Sequence, residues 1–377
     1  MTDTLPIRPV GDGTVTEREI SQQPDVWRET GRIVAGRRAE LDAFLGPLLA
    51  LPDLRIVLTG AGTSAFVGEV AGPGLARRLH RRVEAIATTD LVSDPLGRLA
   101  EDVPTLLVSF ARSGNSPESL AATALADQVL DRVHHLVITC DPDGGLAQQH
   151  GGRERSFVLL TPARANDQGF AMTSSFTSML LSALLVFLGD DEATVSALAA
   201  AGEQVLASRD RVQALVEREP ERIVYLGSGP LTGLARESAL KMLEITAGRV
   251  DTYFDSAMGF RHGPKAVLDD STLALVFTSN DAYTRAYDED IARELREAVG
   301  ADAVVALHAG AAESGADFGV EGVERVDDAF LALPYVVVAQ LLGLHTSVRD
   351  GVTPDNPFPG GSVNRVVQGV TIHPLEA

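Results

Sequence analysis

Ser113, Asn115 and Ser116 follow a short apolar run, Thr105 to Phe110, and precede an Ala/Leu-rich helical pattern from Glu118 to Leu130. The run reads as a buried parallel strand. The hydroxyls and the amide therefore occupy a turn between a strand's carboxyl end and a helix's start. Backbone N–H groups point outward unpaired there, and the helix dipole favours an anion. Such a turn can hold a phosphate without a lysine or a metal. An ordinary N-cap, with Asn115 or Ser116 capping and Pro117 at the first helical position, accounts for the same residues. One residue can do both.

Glu237, Lys241 and Glu244 fall at i, i+4 and i+7, one stripe of a helix expected over Leu231 to about Ala247. A solvated salt-bridge stripe accounts for the spacing. The rest of that helix is apolar (Leu234, Leu240, Met242, Leu243, Ile245), which points to burial between two domains. Buried carboxylates and lysines acquire shifted pKa values and tend to be functional. His262 lies in the Gly/Pro loop Gly259 to Lys265. A histidine there has no core to satisfy and suits general acid–base chemistry near neutral pH.

Two further turns carry hydroxyls. Gly60-Ala61-Gly62-Thr63-Ser64 follows the run Arg55 to Thr59, and Ala171 to Ser178 opens a long apolar helix reaching about Leu188. The first is a weak dinucleotide signal, because Thr63 and Ser64 stand where the fingerprint needs its third glycine. No nicotinamide or other cofactor is expected. No His/Cys/Asp/Glu set has metal-ligand spacing, so no metal is expected either. The cluster Arg77-Arg78-Leu79-His80-Arg81-Arg82 suits a helix C-terminus.

The elements that position these turns alternate. Strands are expected at Arg55–Thr59, near Val83–Ala87, at Thr105–Phe110, His135–Asp141 and Phe157–Thr161, with helical patterns or short turns between them. That alternation gives a doubly wound parallel sheet with helices on both faces. The pattern then restarts. Arg222 to Gly229 echoes Arg55 to Gly62, Thr272 to Asn280 echoes the Thr105 stretch, and Ala303 to His308 echoes the fourth strand. The chain reads as an internal duplication of one α/β unit. Its expected divisions are a tail and one or two helices over 1–50, units over 51–200 and 210–350, and a C-terminal tail over 351–377. The first unit keeps the hydroxyl loops, so it is the one expected to hold a phosphate.

The 377 residues carry a formal charge of −20, which argues against nucleic acid or an anionic membrane as partner. Cys140 is the single cysteine, so no intrachain disulfide is possible and a reducing compartment is expected. No apolar run reads as long enough to span a membrane. A soluble cytoplasmic protein is the expectation.

These stretches resemble the sugar isomerase (SIS) domain. The matches are Gly60–Ser64, Ser109–Ser116, Thr173–Phe176, Glu237–Glu244 and His262–Pro264. Together with Asn356–Arg365, they make the whole chain similar to the bacterial tagatose-6-phosphate ketose/aldose isomerase family, also described as galactosamine-6-phosphate deaminases. The isomerase half of glucosamine-6-phosphate synthase is a more distant relative. The resemblance implies two tandem flavodoxin-like SIS domains. It implies that Thr63, Ser64, Ser113 and Ser116 bind the sugar phosphate, with Thr173 matching across a small gap. Gly62, Arg112, Asn115, Ser174 and Asn364 complete the implied substrate set. Glu244 takes the place of the C1–C2 proton-transfer base and Lys241 that of a helix lysine at the sugar. His262 takes that of a ring-opening histidine supplied by the neighbouring subunit, which implies a homodimer or homotetramer. The synthase's Schiff-base lysine aligns with Gln368, so a Schiff base from the tail is not expected.

The implied reaction converts a hexosamine 6-phosphate to a ketose 6-phosphate and free ammonia. A plain ketose/aldose isomerase of tagatose 6-phosphate needs the same proton transfer. A non-catalytic sugar-phosphate sensor would need neither Glu244 nor His262.

Overall fold

The computed structural model describes residues 14–189, 191–312, 317–367 and 369–376. Three helices come first: α1 (Val15–Ser21), α2 (Gln23–Gly36) and α3 (Arg38–Leu49). One or two were expected. Pro24 in the first turn of α2 lacks the N–H that would continue α1, and Arg37 breaks the helix again. The first unit then runs β1 (Arg55–Thr59), α4 (Thr63–Leu79), β2 (Val83–Ala85), α5 (Thr88–Ser93), α6 (Pro95–Arg98), β3 (Thr105–Ala111), α7 (Pro117–Val129), β4 (Val133–Thr139), α8 (Gly145–His150), β5 (Ser156–Leu160) and α9 (Ser174–Leu188). Helices α10 (Glu192–Ala207) and α11 (Arg209–Val216) lead to the second unit. It comprises β6 (Arg222–Gly227), α12 (Pro230–Ile245), β7 (Asp251–Asp255), β8 (Thr272–Phe277), α13 (Ala282–Val299), β9 (Val304–Ala309), β10 (Phe318–Val320) and α14 (Asp328–Arg349).

Each unit holds a five-stranded parallel sheet, in the orders β2-β1-β3-β4-β5 and β7-β6-β8-β9-β10. The orders are the same, so β6, β8 and β9 hold the places of β1, β3 and β4. The turn after the first strand is also the same. Gly62 has φ 55° and ψ −129°, and Gly229 has φ 56° and ψ −127°, a conformation that glycine reaches at little cost. Strands β7 and β10 escape sequence reading. Both are edges, and β7 begins and ends on aspartate, so neither shows the continuous apolar run of a buried strand.

Helices α4, α9, α12 and α14 pack on one another between the two sheets. Ile56 and Leu58 of β1 and Tyr225 and Phe277 of the second sheet belong to the same continuous core. Gly233 of α12 approaches α4 so closely that a Cβ there would lie 2.8 Å from Glu69 C and Val70 N. That contact sets the Glu237–Lys241–Glu244 stripe of α12 against the start of α4. Helix α14 corrects one expectation: by length and composition it is apolar enough to cross a membrane. Here Asp328 to Ser347 is buried in the protein interior.

Candidate active site

The chain leaves β1 toward β2 on one side and reaches β3 on the other. The loops after β1 and β3 therefore diverge at the carboxyl edge, the place where open α/β sheets bind ligands. Register sets Thr59 beside Ser109 there. Both hydroxyls are buried without a hydrogen-bond partner, as are those of Thr88 and Thr161 at the same edge. A pocket opens beside them. Ala61, Ser64, Arg112, Ser113, Gly114, Ser116, Ser119 and Met172 line it, and the tail residues Arg365, Val366 and Val367 close over it.

Ser116 occupies the N-cap position of α7, with Pro117 in the first turn, yet its side chain makes no capping bond. Its hydroxyl instead pairs with Ser119 Oγ at 2.7 Å, on the pocket wall. The cap thus accounts for the backbone and leaves the hydroxyls to a ligand. Sequence reading missed Ser119; its place one turn into α7, on the face of Ser116, was the available signal. Asn115 turns the other way, and its Oδ1 accepts Gly145 N at 2.8 Å. It braces α8 and does not line the pocket. Asn364 is exposed and does not line it either.

Thr173 and Ser174 are fully buried at the start of α9. The Asp167 carboxylate accepts their N–H groups at 2.7 and 3.1 Å and the Thr173 hydroxyl at 3.2 Å, while Ser174 Oγ donates to Glu19 O at 2.6 Å. Their donors are committed within the protein. Arg112 is buried too. Its Nη1 donates to Phe170 O at 3.2 Å and its Nη2 to Arg365 O at 3.1 Å, so it ties the tail to the pocket wall. Burial, reinforced by Arg365, lowers its pKa to about 10.

The Glu237–Lys241–Glu244 stripe belongs to α12 of the second unit. Lys241 is fully buried, with Nζ 2.5 Å from Glu244 Oε2 and 3.6 Å from Glu237 Oε1. A solvated salt bridge is therefore excluded for the lysine. Burial opposes its charge, but the two carboxylates outweigh burial and raise its pKa. Glu237 is also fully buried, and neither carboxyl oxygen has a hydrogen-bond partner. Burial raises its pKa to about 8, against the pull of Lys241 and of Thr63 on α4. Burial thus favours the neutral form of Glu237. The Glu244 side chain is 26% exposed and open to a ligand. Arg112 of the pocket wall feels the charge of Glu244, and Lys241 feels that of Arg112, so the stripe lies near the pocket, although it contributes no residue to the pocket lining. His262 stands apart, exposed between the short turns Gly259–Arg261 and Pro264–Val267.

The second unit has the same loops but they are filled. Asp288 Oδ1 accepts Ser228 Oγ at 2.5 Å and its Oδ2 accepts Ser279 N at 3.0 Å. Asp328 accepts Ser279 Oγ at 2.5 Å and Asn280 N at 2.7 Å. Two internal carboxylates thus occupy the donors that a phosphate would use. The first unit presents its hydroxyls to an open pocket.

A 2-1-3-4-5 parallel sheet with hydroxyl loops at its switch point defines a class, and residues 49–189 match the SIS domain. At the level of the whole chain the likeness is narrower. A Streptomyces coelicolor protein carrying the AgaS name is 61% identical across 97% of both chains. The D-galactosamine-6-phosphate deaminase AgaS of Shewanella sp. is 43% identical over 96% of this chain and 92% of its own. The crystal structure of tagatose-6-phosphate ketose/aldose isomerase from Escherichia coli superposes with a TM-score of 0.88 at 41% identity, covering 99% of this chain and 100% of that one. The chain belongs to the AgaS family of sugar-phosphate enzymes.

Proposed function

We propose that the protein converts a 2-amino-2-deoxyhexose 6-phosphate, galactosamine 6-phosphate or a close isomer, to the ketose 6-phosphate and ammonia. The observation that carries this reading is the Lys241–Glu244 ion pair, buried at its lysine end and close enough to Arg112 of the hydroxyl-lined pocket for their charges to interact. The phosphate docks on Ser64, Ser113, Ser116 and Ser119 and the N-terminus of α7. His262 of a neighbouring subunit assists ring opening, so the working species is a homodimer or homotetramer. The exposure of His262, Leu243, Phe254 and Met258 supports an assembly that covers them.

Glu244 then takes the C2 proton of the open aldose. The C2–H electrons form a C1–C2 double bond as the C1 carbonyl oxygen takes a proton from solvent and becomes a hydroxyl. Lys241 steadies the developing charge on oxygen. Return of the proton from Glu244 to C1, with loss of one N–H proton to solvent, gives a C2 imine. Water adds to C2, and ammonia leaves to give the ketose. No cofactor or metal takes part in this scheme. The second unit acts as a further SIS domain that supplies the base. Gln368 lies outside the described residues, and the scheme gives it no role. A cytoplasmic location suits a phosphorylated substrate.

The isomerase name of the E. coli structure keeps a second reading open, interconversion of tagatose 6-phosphate with its aldose and no loss of nitrogen. Ammonia release across a panel of hexose and hexosamine 6-phosphates separates the two. The proposal expects ammonia from a hexosamine 6-phosphate. Isomerisation of neutral sugars alone, with no ammonia, overturns it.

A further inference from the structure

Residues 166–172 lie between β5 and α9 and reach the pocket through Met172. Several parts of the chain hold this loop. The Asp167 carboxylate grips the start of α9, and Arg112 donates to Phe170 O. From α1, the Glu19 carboxylate accepts the backbone N–H groups of Gln168 and Gly169, the latter at 3.2 Å to Oε2. The approach is close: a Cβ at residue 169 would lie 2.9 Å from both Glu19 Oε2 and Thr16 Oγ1. The tail completes the ring. Asp355 accepts Val15 N at 2.9 Å and Thr16 N at 2.8 Å, and the Arg365 guanidinium donates to Asp167 O.

One peptide group stands at the centre of these contacts. The N–H of the Asp167–Gln168 peptide donates to Glu19, and its C=O accepts from Arg365. An anion on the N–H side polarises the peptide and strengthens its carbonyl as an acceptor. We infer that Glu19 is a positioning residue for the tail: its carboxylate orients the Asp167–Gln168 peptide, whose carbonyl anchors Arg365 over the sugar-phosphate pocket. The link to substrate rests on the reading of the pocket given above; the link to the tail does not.

The electrostatics agree. Burial, followed by the neighbouring Asp167, raises the Glu19 pKa to about 7, against the two N–H donors and Arg365. Of the other carboxylates at α1, Glu17 pairs with Arg209 at 2.5 Å, and Asp355 is committed to Val15 and Thr16. Protonation removes the charge that polarises the peptide, so the hold on Arg365 weakens as pH falls through neutrality.

Trypsin cleavage after Arg365, followed by mass spectrometry without substrate, tests the anchor directly. At about pH 8, Glu19→Gln is expected to be cut about tenfold faster than the wild type, the loss of roughly one charge-assisted hydrogen bond. Equal rates overturn the inference. The same variant is expected to raise KM for a hexosamine 6-phosphate about tenfold with kcat within about twofold. In an Arg365→Ala background it should add nothing further to KM; an additive effect also overturns the inference. Faster cleavage with unchanged KM supports the anchor and contradicts the sugar-phosphate reading of the pocket. Should Glu19→Gln fail to fold, wild-type cleavage normalised to a free peptide is followed from about pH 8 to about pH 6.5. It should accelerate, and a flat profile overturns the inference.

Discussion

Lys241 Nζ lies 2.5 Å from Glu244 Oε2, one turn apart on α12, with the lysine sealed from solvent and the glutamate partly exposed. This asymmetry fits a base that must reach substrate and a cation that must stay fixed. Lys241→Met keeps the volume and removes the charge. Glu244 is exposed enough to turn to water, so no buried ion is stranded. We predict that kcat falls about 10²-fold, the order expected when one donor to a developing oxyanion is lost, while the melting temperature changes little. Unchanged kcat would assign the lysine to structure alone.

The pocket hydroxyls predict a different signature. Ser64→Ala and Ser113→Ala each remove a donor beside the N-terminus of α7. Each should raise KM for a phosphorylated sugar about three- to tenfold, one net hydrogen bond to a charged group being worth about 1 kcal/mol or somewhat more. Steady-state kinetics with phosphorylated and unphosphorylated sugars checks this. Unchanged KM in both variants would reduce these hydroxyls to loop structure.

The sheet strands and the hydroxyl turns were legible in the residues, with Ser64, Arg112, Ser113 and Ser116 lining the pocket, and what was not legible has physical causes. Strands β1 and β3 are buried along their whole length, so their apolar runs locate them almost to the residue. The edges β7 and β10 carry no such run. The Glu237–Lys241–Glu244 stripe is local, hence visible. Its burial is not local, because it depends on the approach of Gly233 to α4. Thr173 and Ser174 have the right types, but Asp167, folding back from the preceding loop, takes their donors. The filling of the second unit's loops depends on Asp328, 49 residues from Ser279, a separation that no turn pattern encodes.

Stability should fall as pH rises above about 5. Burial raises the folded-state pKa of Asp288 to about 6, of Glu19 to about 7 and of Glu237 to about 8. Each holds its proton more tightly folded than unfolded. Its contribution is complete below its unfolded pKa and is lost as pH rises through the folded one. At the acid end the sign reverses, because hydrogen bonds from Ser271 and Thr272 hold Asp269 down to about 2. Urea unfolding at about pH 5 and about pH 8 should show the greater free energy at the lower pH, with a smaller difference in Glu237→Gln. Burial lowers the pKa of His150 and His345 to about 4, so they act in the opposite sense, and a pH difference unchanged in Glu237→Gln is the result that would mean this carboxyl is not buried as described.

Assembly is the next test. With His262 exposed outside the pocket, a single chain lacks the ring-opening group that the proposed reaction needs. Light scattering should show at least a dimer. Mixing an inactive His262→Ala protein with an inactive Glu244→Gln protein should restore part of the activity through hybrid sites. A stable, fully active monomer would contradict the shared site.

The most direct measurement is exchange of the substrate's C2 proton with deuterated solvent, followed by NMR in the wild type and in Glu244→Gln. Proton transfer between adjacent carbons needs one base that reaches both, and Glu244 is the carboxylate of the stripe that is open to a ligand. The substitution keeps the shape and removes the base. The account predicts that exchange and turnover fall together by about two to four orders of magnitude, with substrate binding nearly unchanged. Near-normal exchange in Glu244→Gln would place the base elsewhere and contradict the account.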